Sequence, residues 1–444
     1  MAGMVSSDND LILSSNGKQM MVLRGTSAVP ASVLALPASA VSDDDLLLGS
    51  VALYADEATG RLFARARYSN GSFKTFLVGV TTPESITVGS SGADFTSVMD
   101  AWNALSGAVL SSAVTINVNP GTYTETLVLA SQPYANLVTI QGDARDGAGQ
   151  CLAATGSITK SGNNCTISMT AAPPSDFDST DSVIIAGASN AGNVGRFPVV
   201  SVDIANKAVT YVNPAGVAEA VRLGTSVVFC PNRIIDFTGF AQGVLSACAT
   251  PPTLRGFLIV GSAASPCSGI EASGSLGVEK CTVFNVHDFG FYAYNGGNIV
   301  AGAHCSAIRC ATGFGVSAGR MSAAMSYSAN NTYGYQATVD GSISAPSAVA
   351  ASNVIGFLGD VGSAVHAASA GAFFSSDSGF NASNNSAIYA NGATAKSNGV
   401  GYYAAWQGVI LGSSTSANNS GNGVDYSPAT SGVEGNNGGA VRWS

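Results

Sequence analysis

A glycine followed by a large apolar residue returns eight times between Gly269 and the end of the chain, and this period leaves few folds open. The pairs are Gly269-Ile270, Gly290-Phe291, Gly313-Phe314, Gly334-Tyr335, Gly356-Phe357, Gly379-Phe380, Gly401-Tyr402 and Gly423-Val424, at intervals of 21 to 23 residues. A fixed period of this kind marks a stack of units, each burying its apolar face only against its neighbours. A leucine-rich repeat needs several leucines per turn, yet Leu276, Leu358 and Leu411 are the only ones from Gly269 onward. Short β-type segments punctuated by Gly, Ser, Ala and Asn point instead to a parallel β-solenoid.

Within each rung the residues alternate with period two, so neighbouring side chains take opposite faces of a strand. The residue after the glycine (Ile270, Phe291, Phe314, Tyr335, Phe357, Phe380, Tyr402, Val424) faces inward as a core stack. Three places after the glycine the residues are mostly small (Ala272, Ala293, Val316, Ala337, Gly359, Ala382, Ala404), as a narrow interior requires. The place between them is polar or mixed and faces outward. Strand spacing of about 4.8 Å gives these eight rungs a length of roughly 40 Å.

Only 10% of the 444 residues are charged, 46% are hydrophobic and 53 are glycine, which fits tightly turned β-structure and excludes a disordered chain. The net charge of −9 and the lack of any Lys/Arg run exclude a nucleic-acid partner and an anionic membrane surface. No apolar run reaches a membrane span, so no membrane insertion is expected. Met1 to Asp10 is not of secretory type, so the chain is expected to stay in the cytosol or to leave it by another route. The eight cysteines show no C-x-x-C spacing, and they read as reduced, buried small residues, with Cys281 and Cys305 on adjacent rungs. Neither a metal site nor a cofactor is expected.

The chain divides into four stretches. Residues 1–81 hold an Ala/Pro/Ser-rich extended tract at 27–41 and a β-meander with strands near 50–56, 62–68 and 73–80, turning at 57–60 and 69–72. Residues 82–156 begin the solenoid: Ser97-x-x-Asp100 starts a short helix carrying Val98, Trp102 and Leu105 that ends by Gly107. Strands at 114–118, 125–129 and 138–142 follow. In residues 157–232 the rhythm gives way to longer strand signals, read as an inserted small β-barrel or sandwich, and residues 233–444 form the main solenoid.

Gly49-Ser-Val-Ala-Leu-Tyr54, Gly60-Arg-Leu-Phe63 and Asn70-Gly-Ser-Phe73 resemble the short β-motif near the N-termini of bacteriophage tail fibres and tailspikes. The helix followed by Ile116-x-Val118-x-Pro120-Gly121-x-Tyr123 resembles the entry of the pectin-lyase-like right-handed parallel β-helix, and Leu254 to Gly261 is similar to one of its rungs. These resemblances imply an all-β chain: a right-handed parallel β-helix with a capping helix, an inserted β-domain and an N-terminal meander. They further imply a homotrimer that attaches through its N-terminus to virion tail or baseplate proteins. Such proteins bind, and often cut, a host cell-surface polysaccharide, and belong to the virion tail after assembly in the host cytoplasm.

Glycosidase chemistry needs two carboxylates flanking one bond. Asp288 and Asp377 share a column but lie four rungs, roughly 19 Å, apart. Asp360 and Asp377 share a rung, and Asp340 lies one rung earlier, so these three are the catalytic candidates, against the plainer reading of solvated turn carboxylates. His287, His304 and His366 have no nucleophile motif nearby, and no acidic cluster accompanies Arg309 or Arg320 to hold Ca²⁺. Tyr292, Tyr294, Gln336, Asn381, Tyr403 and Trp406 are the candidates for stacking and bonding sugar rings, with a subunit interface as the competing role. The expected function is recognition of host polysaccharide; a surface-glycan depolymerase and a purely structural spike are the alternatives.

Overall fold

The structure, a computed structural model, describes residues 2–7, 10–15, 18–24, 51–55, 62–67, 73–77, 84–106, 110, 112–412, 419–427 and 440–443. Three long sheets run its length. Sheet I has 10 strands, from Leu127–Leu129 to Val424–Ser427; sheet II has 12, from Glu84–Val88 to Ala440–Trp443; sheet III has 10, from Gly121–Tyr123 to Asn419–Ser420. Each regular rung gives one strand to each sheet, and rung-to-rung pairing is parallel, as in Phe291↔Phe314, Ile299↔Met321 and Ala307↔Ser328. This is the parallel β-helix expected from the period.

The aromatic column fills its interior. Rings of Phe291, Phe314, Tyr335, Phe357, Phe380 and Tyr402 stack with centroids 4.6 to 5.0 Å apart and planes within 8°. All six are fully buried. The last member differs from expectation: Tyr402 pairs with Tyr426, while Val424 pairs with Val400 and is 48% exposed. The final rung carries two extra residues, so its glycine no longer marks the column.

A second interior ladder runs through asparagine. The backbone N–H groups of Cys310, Asn331, Ser375 and Asn398 donate to the Oδ1 atoms of Asn331, Asn353, Asn398 and Asn422 at 2.7–3.0 Å. These side chains satisfy main-chain groups left unpaired where sheet III bends into sheet I. The bend is a single left-handed residue, among them Asn285, Arg309, Asn330, Ser352 and Phe374, at φ between 54° and 60°.

Helix α1 (Val98–Ala104) buries Val98, Ala101 and Trp102 in the same core as Ile86 and Leu127. Ser97 caps it as expected, accepting from the Asp100 N–H. The carboxylate on the next free N–H groups is Glu125, which accepts from Val98 at 3.0 Å and Met99 at 3.1 Å, so Glu125 is not strand. Ahead of the helix, Ala2–Ser7, Asp10–Ser15 and Lys18–Arg24 form one antiparallel sheet and Val51–Ala55, Leu62–Arg67 and Phe73–Leu77 another. The first of these was not anticipated; the tract at 27–41 and the turns at 57–60 and 69–72 lie outside the described residues.

Between the rungs, strands from Cys151–Ser161 to Ser226–Cys230 form an antiparallel sheet that closes on itself. The long strand Cys151–Ser161 pairs through its start with Ser226–Cys230 and through its remainder with Asn164–Met169. Two of its strands, Ser182–Ala186 and Ser226–Cys230, are buried at every position because both faces are covered. Val183, Ile185, Val227 and Phe229 fill the barrel, while Ile184, Ala186, Val228 and Cys230 pack on sheet III against Leu258, Phe284, Ile308 and Tyr327. All eight cysteines are free and seven are buried, Cys281 and Cys305 meeting on adjacent rungs.

At the barrel's neck sits an ion cluster. Arg145 bonds Asp143 at 2.6 Å and Asp181 at 2.8 Å, Arg233 reaches Asp143 at 3.1 Å, and both carboxylates are almost fully buried. Burial alone would raise the Asp143 carboxyl, but the hydrogen bonds and charge of Arg145, with Arg233 behind, hold it below its ordinary value.

Candidate functional site

The outer face of sheet I collects most of the binding candidates, because period-two alternation puts one outward residue per rung in line. Tyr292, Gly315, Gln336, Leu358, Asn381 and Tyr403 are successive members of one column. Tyr292 and Tyr403, five rungs apart, are separated by roughly 24 Å. Tyr294 belongs to the neighbouring column.

At one end three rings stack. Phe289 lies 4.0 Å from Tyr292 at 12°, and Tyr292 lies 5.2 Å from Tyr294 at 14°. Gly315 makes this possible, since a Cβ there would run into the Phe289 ring. Burial pushes the Tyr292 phenol above its ordinary value, so it stays a neutral donor. Further along, the Gln336 Oε1 accepts from Thr312 at 3.0 Å, and Asn381 donates to Ser378 at 3.3 Å while its Oδ1 is buried without a partner. Rings at the two ends of the column and the amides of Gln336 and Asn381 between them can stack on a sugar face and bond its hydroxyls.

Where sheet I turns into sheet II, each rung bends through residues of positive φ, including Val339, Val361, Asn384, Asn385, Trp406 and Gln407. For a β-branched residue this is a strained backbone, at about 1–3 kcal/mol each. Trp406 projects here, 53% exposed, beside Asn384, Asn385 and Gln407 around an open depression of about 520 Å³. Asp360 lies at the same corner, accepting from Ser383 at 3.0 Å and from Asn384 at 2.6 Å, with Asp340 on the rung before. Asp377 stands at the opposite edge, ahead of the strand Ser378–Ala382. Five residues of strand are about 17 Å, beyond the 5–9.5 Å of a glycosidase pair, so the corner brings Asp340 and Asp360 together and leaves Asp377 apart. No three metal-ligating side chains gather among the described residues.

Sequence reasoning missed a cleft of about 690 Å³ between the barrel and the bend from sheet III to sheet I. Arg222 and Ala188 come from the barrel; Asn285, Arg309, Asn330, Ser352 and Phe374 come from the bends. The available signal was Arg309, the one charged residue among the bend positions Asn285, Arg309, Asn330, Ser352 and Phe374, but the barrel wall has no signature in the repeat.

No protein-family model matches the chain, and no curated protein does. Among solved structures it is similar to XylC, in a complex with xylose, at 10% identity and a TM-score of 0.29, over 74% of this chain and 69% of that one. It is also similar to the tailspike protein gp49 of Pseudomonas phage LKA1, at 10% identity and a TM-score of 0.27, over 78% of this chain and 66% of that one. Likeness at this level assigns no residue a role.

Proposed function

We propose that this chain is a phage tailspike or tail-fibre protein that recognises and adsorbs to a host surface polysaccharide. The observation that carries the reading is the single outward column from Tyr292 to Tyr403, where rings and amides stand on a rigid scaffold at the spacing of the rungs. An extended polymer crossing these rungs meets a tyrosine ring at each end and two amides between them. Residues 1–81 serve as the attachment module towards virion tail or baseplate proteins, and the solenoid points outward to the host glycan.

Binding to a panel of bacterial surface polysaccharides tests this. Tyr403→Ala and Trp406→Ala are each expected to weaken binding about tenfold, or 1.4 kcal/mol, in the range of a buried aromatic anchor. Folded variants that bind as the parent does would remove the sheet I face from consideration. The depolymerase reading draws on Asp340 and Asp360 sharing a corner; release of new reducing or unsaturated ends, lost in Asp360→Asn, would favour it.

The active assembly is proposed to be a homotrimer. The face of sheet II carries few charges and includes Val300, 47% exposed, and a His366–Tyr389 stack at 4.6 Å. Light scattering is expected to give three times the chain mass; a stable monomer would count heavily against the tailspike reading.

A further inference from the structure

The cleft between barrel and β-helix differs in chemistry from the sheet I face. Among the described residues no Asp or Glu lines it, although the chain as a whole carries a net charge of −9. Two guanidinium groups do. Arg222 is half-buried: its Nε donates to Gly187 O at 2.7 Å, and its NH2 nitrogen to Ala188 O at 3.2 Å and Ser352 Oγ at 2.8 Å. Its plane lies 4.7 Å over the Phe374 ring. Neither Arg222 nor Arg309 has a carboxylate within ion-pair distance among the described residues. Burial depresses the Arg222 guanidinium from its ordinary value, the mark of a cation held from water with too little opposite charge beside it.

Arg309 stands at the rim, exposed, 6.0 Å over Phe284. It occupies the left-handed bend position with φ of 59°. Asn330 accepts the Gly187 N–H at 2.9 Å through Oδ1, which leaves its amide NH2 to face a ligand as donor. His287 also lines the cleft, but Asp288 holds it at 2.6 Å and offsets any charge it carries. The combination is two guanidinium groups with no carboxylate partner among the described residues and the donor amide of Asn330, in a space large enough for one or two sugar units.

We infer that this cleft is a subsite for acidic sugar units, with Arg222 beside Ser352 receiving a carboxylate at one end and Arg309, two rungs away beside Phe284, at the other, and Asn330 and Ser352 bonding hydroxyls. The inference rests on the glycan-recognition reading and deepens it: the polysaccharide recognised carries uronate or sialate units. The repeat then crosses from the cleft onto sheet I, since Thr332 of the cleft wall is followed by Tyr333 of the sheet I strand.

The test uses the full chain and calorimetric or ligand-observed NMR titration with tetragalacturonate, a hyaluronan tetrasaccharide, sialyllactose, neutral cellotetraose and inorganic phosphate. At least one acidic oligosaccharide is expected to bind more tightly than cellotetraose, with affinity falling as salt rises. Arg309→Gln is the decisive variant, because its side chain makes no hydrogen bond among the described residues and its loss leaves the fold intact; it should weaken acidic binding about tenfold, or 1.4 kcal/mol. Arg222→Gln should do the same, with melting measured alongside because Arg222 also braces the barrel loop. No binding by any of the three acidic probes, binding unchanged in Arg309→Gln, or phosphate binding as tightly as the best acidic sugar would each overturn the inference. If neutral polysaccharide still binds through Tyr403 and Trp406, only the acidic subsite fails; if nothing binds, the recognition reading fails with it.

Discussion

Arg145→Met is expected to cost the fold about 3–5 kcal/mol, the range seen when one partner of a buried ion cluster is removed. Asp143 and Asp181 have side chains 2% and 1% exposed, and among the described residues the substitution leaves Asp143 paired with Arg233 alone and Asp181 with no ion-pair partner. Arg145 also donates to Asp176 O and lies 4.3 Å from the Phe177 ring, so it ties the first rungs to the barrel segment between the strands Asn164–Met169 and Ser182–Ala186. The loss is read from the urea midpoint at unchanged slope. A loss below about 1 kcal/mol would place the cluster with ordinary surface pairs. The same cluster gives stability a pH dependence. The folded carboxyl of Asp143 is depressed, so its contribution is complete above the unfolded value of about 3.9 and disappears as pH falls through the lower folded value. In Arg145→Met this acid-side loss should shrink.

Phe357→Ala is expected to cost a similar amount, about 3–5 kcal/mol, for a different reason. The Phe357 ring is stacked 4.6 Å from Tyr335 and 4.8 Å from Phe380, and all three are fully buried. Removing it opens a gap that neighbouring rungs cannot close, because their backbone hydrogen bonds fix the rise. Chemical denaturation of the variant measures the cost. A loss under about 1 kcal/mol would mean that the column collapses locally and that the solenoid is more plastic than its close stacking indicates.

Much of the solenoid was legible in the sequence because each rung meets its nearest copies, so one local pattern repeats with little outside influence. The inward column from Ile270 to Tyr402, the small residues two places further on and the outward line Tyr292, Gln336, Asn381 and Tyr403 all follow from period two inside period 22. The final register did not follow, because the glycine that marks the earlier rungs slips in the last one, where the asparagine keeps its place. Asn331, Asn353, Asn398 and Asn422 each stand four places before a column ring, at Tyr335, Phe357, Tyr402 and Tyr426.

What the sequence by itself determined is therefore the rung: its period, its inward stack and the residues that line the outer face of sheet I. Only the tertiary structure decided which face is covered and where a cleft opens. The segments 182–186 and 226–230 read as strands of an inserted barrel or sandwich, but not as buried on one side by a barrel interior and on the other by sheet III. The Arg145 cluster and the Arg222–Arg309 cleft join residues up to 130 positions apart through that docking. No local pattern encodes such a meeting, since its energy comes from burying two complementary surfaces that the repeat never brings together in sequence.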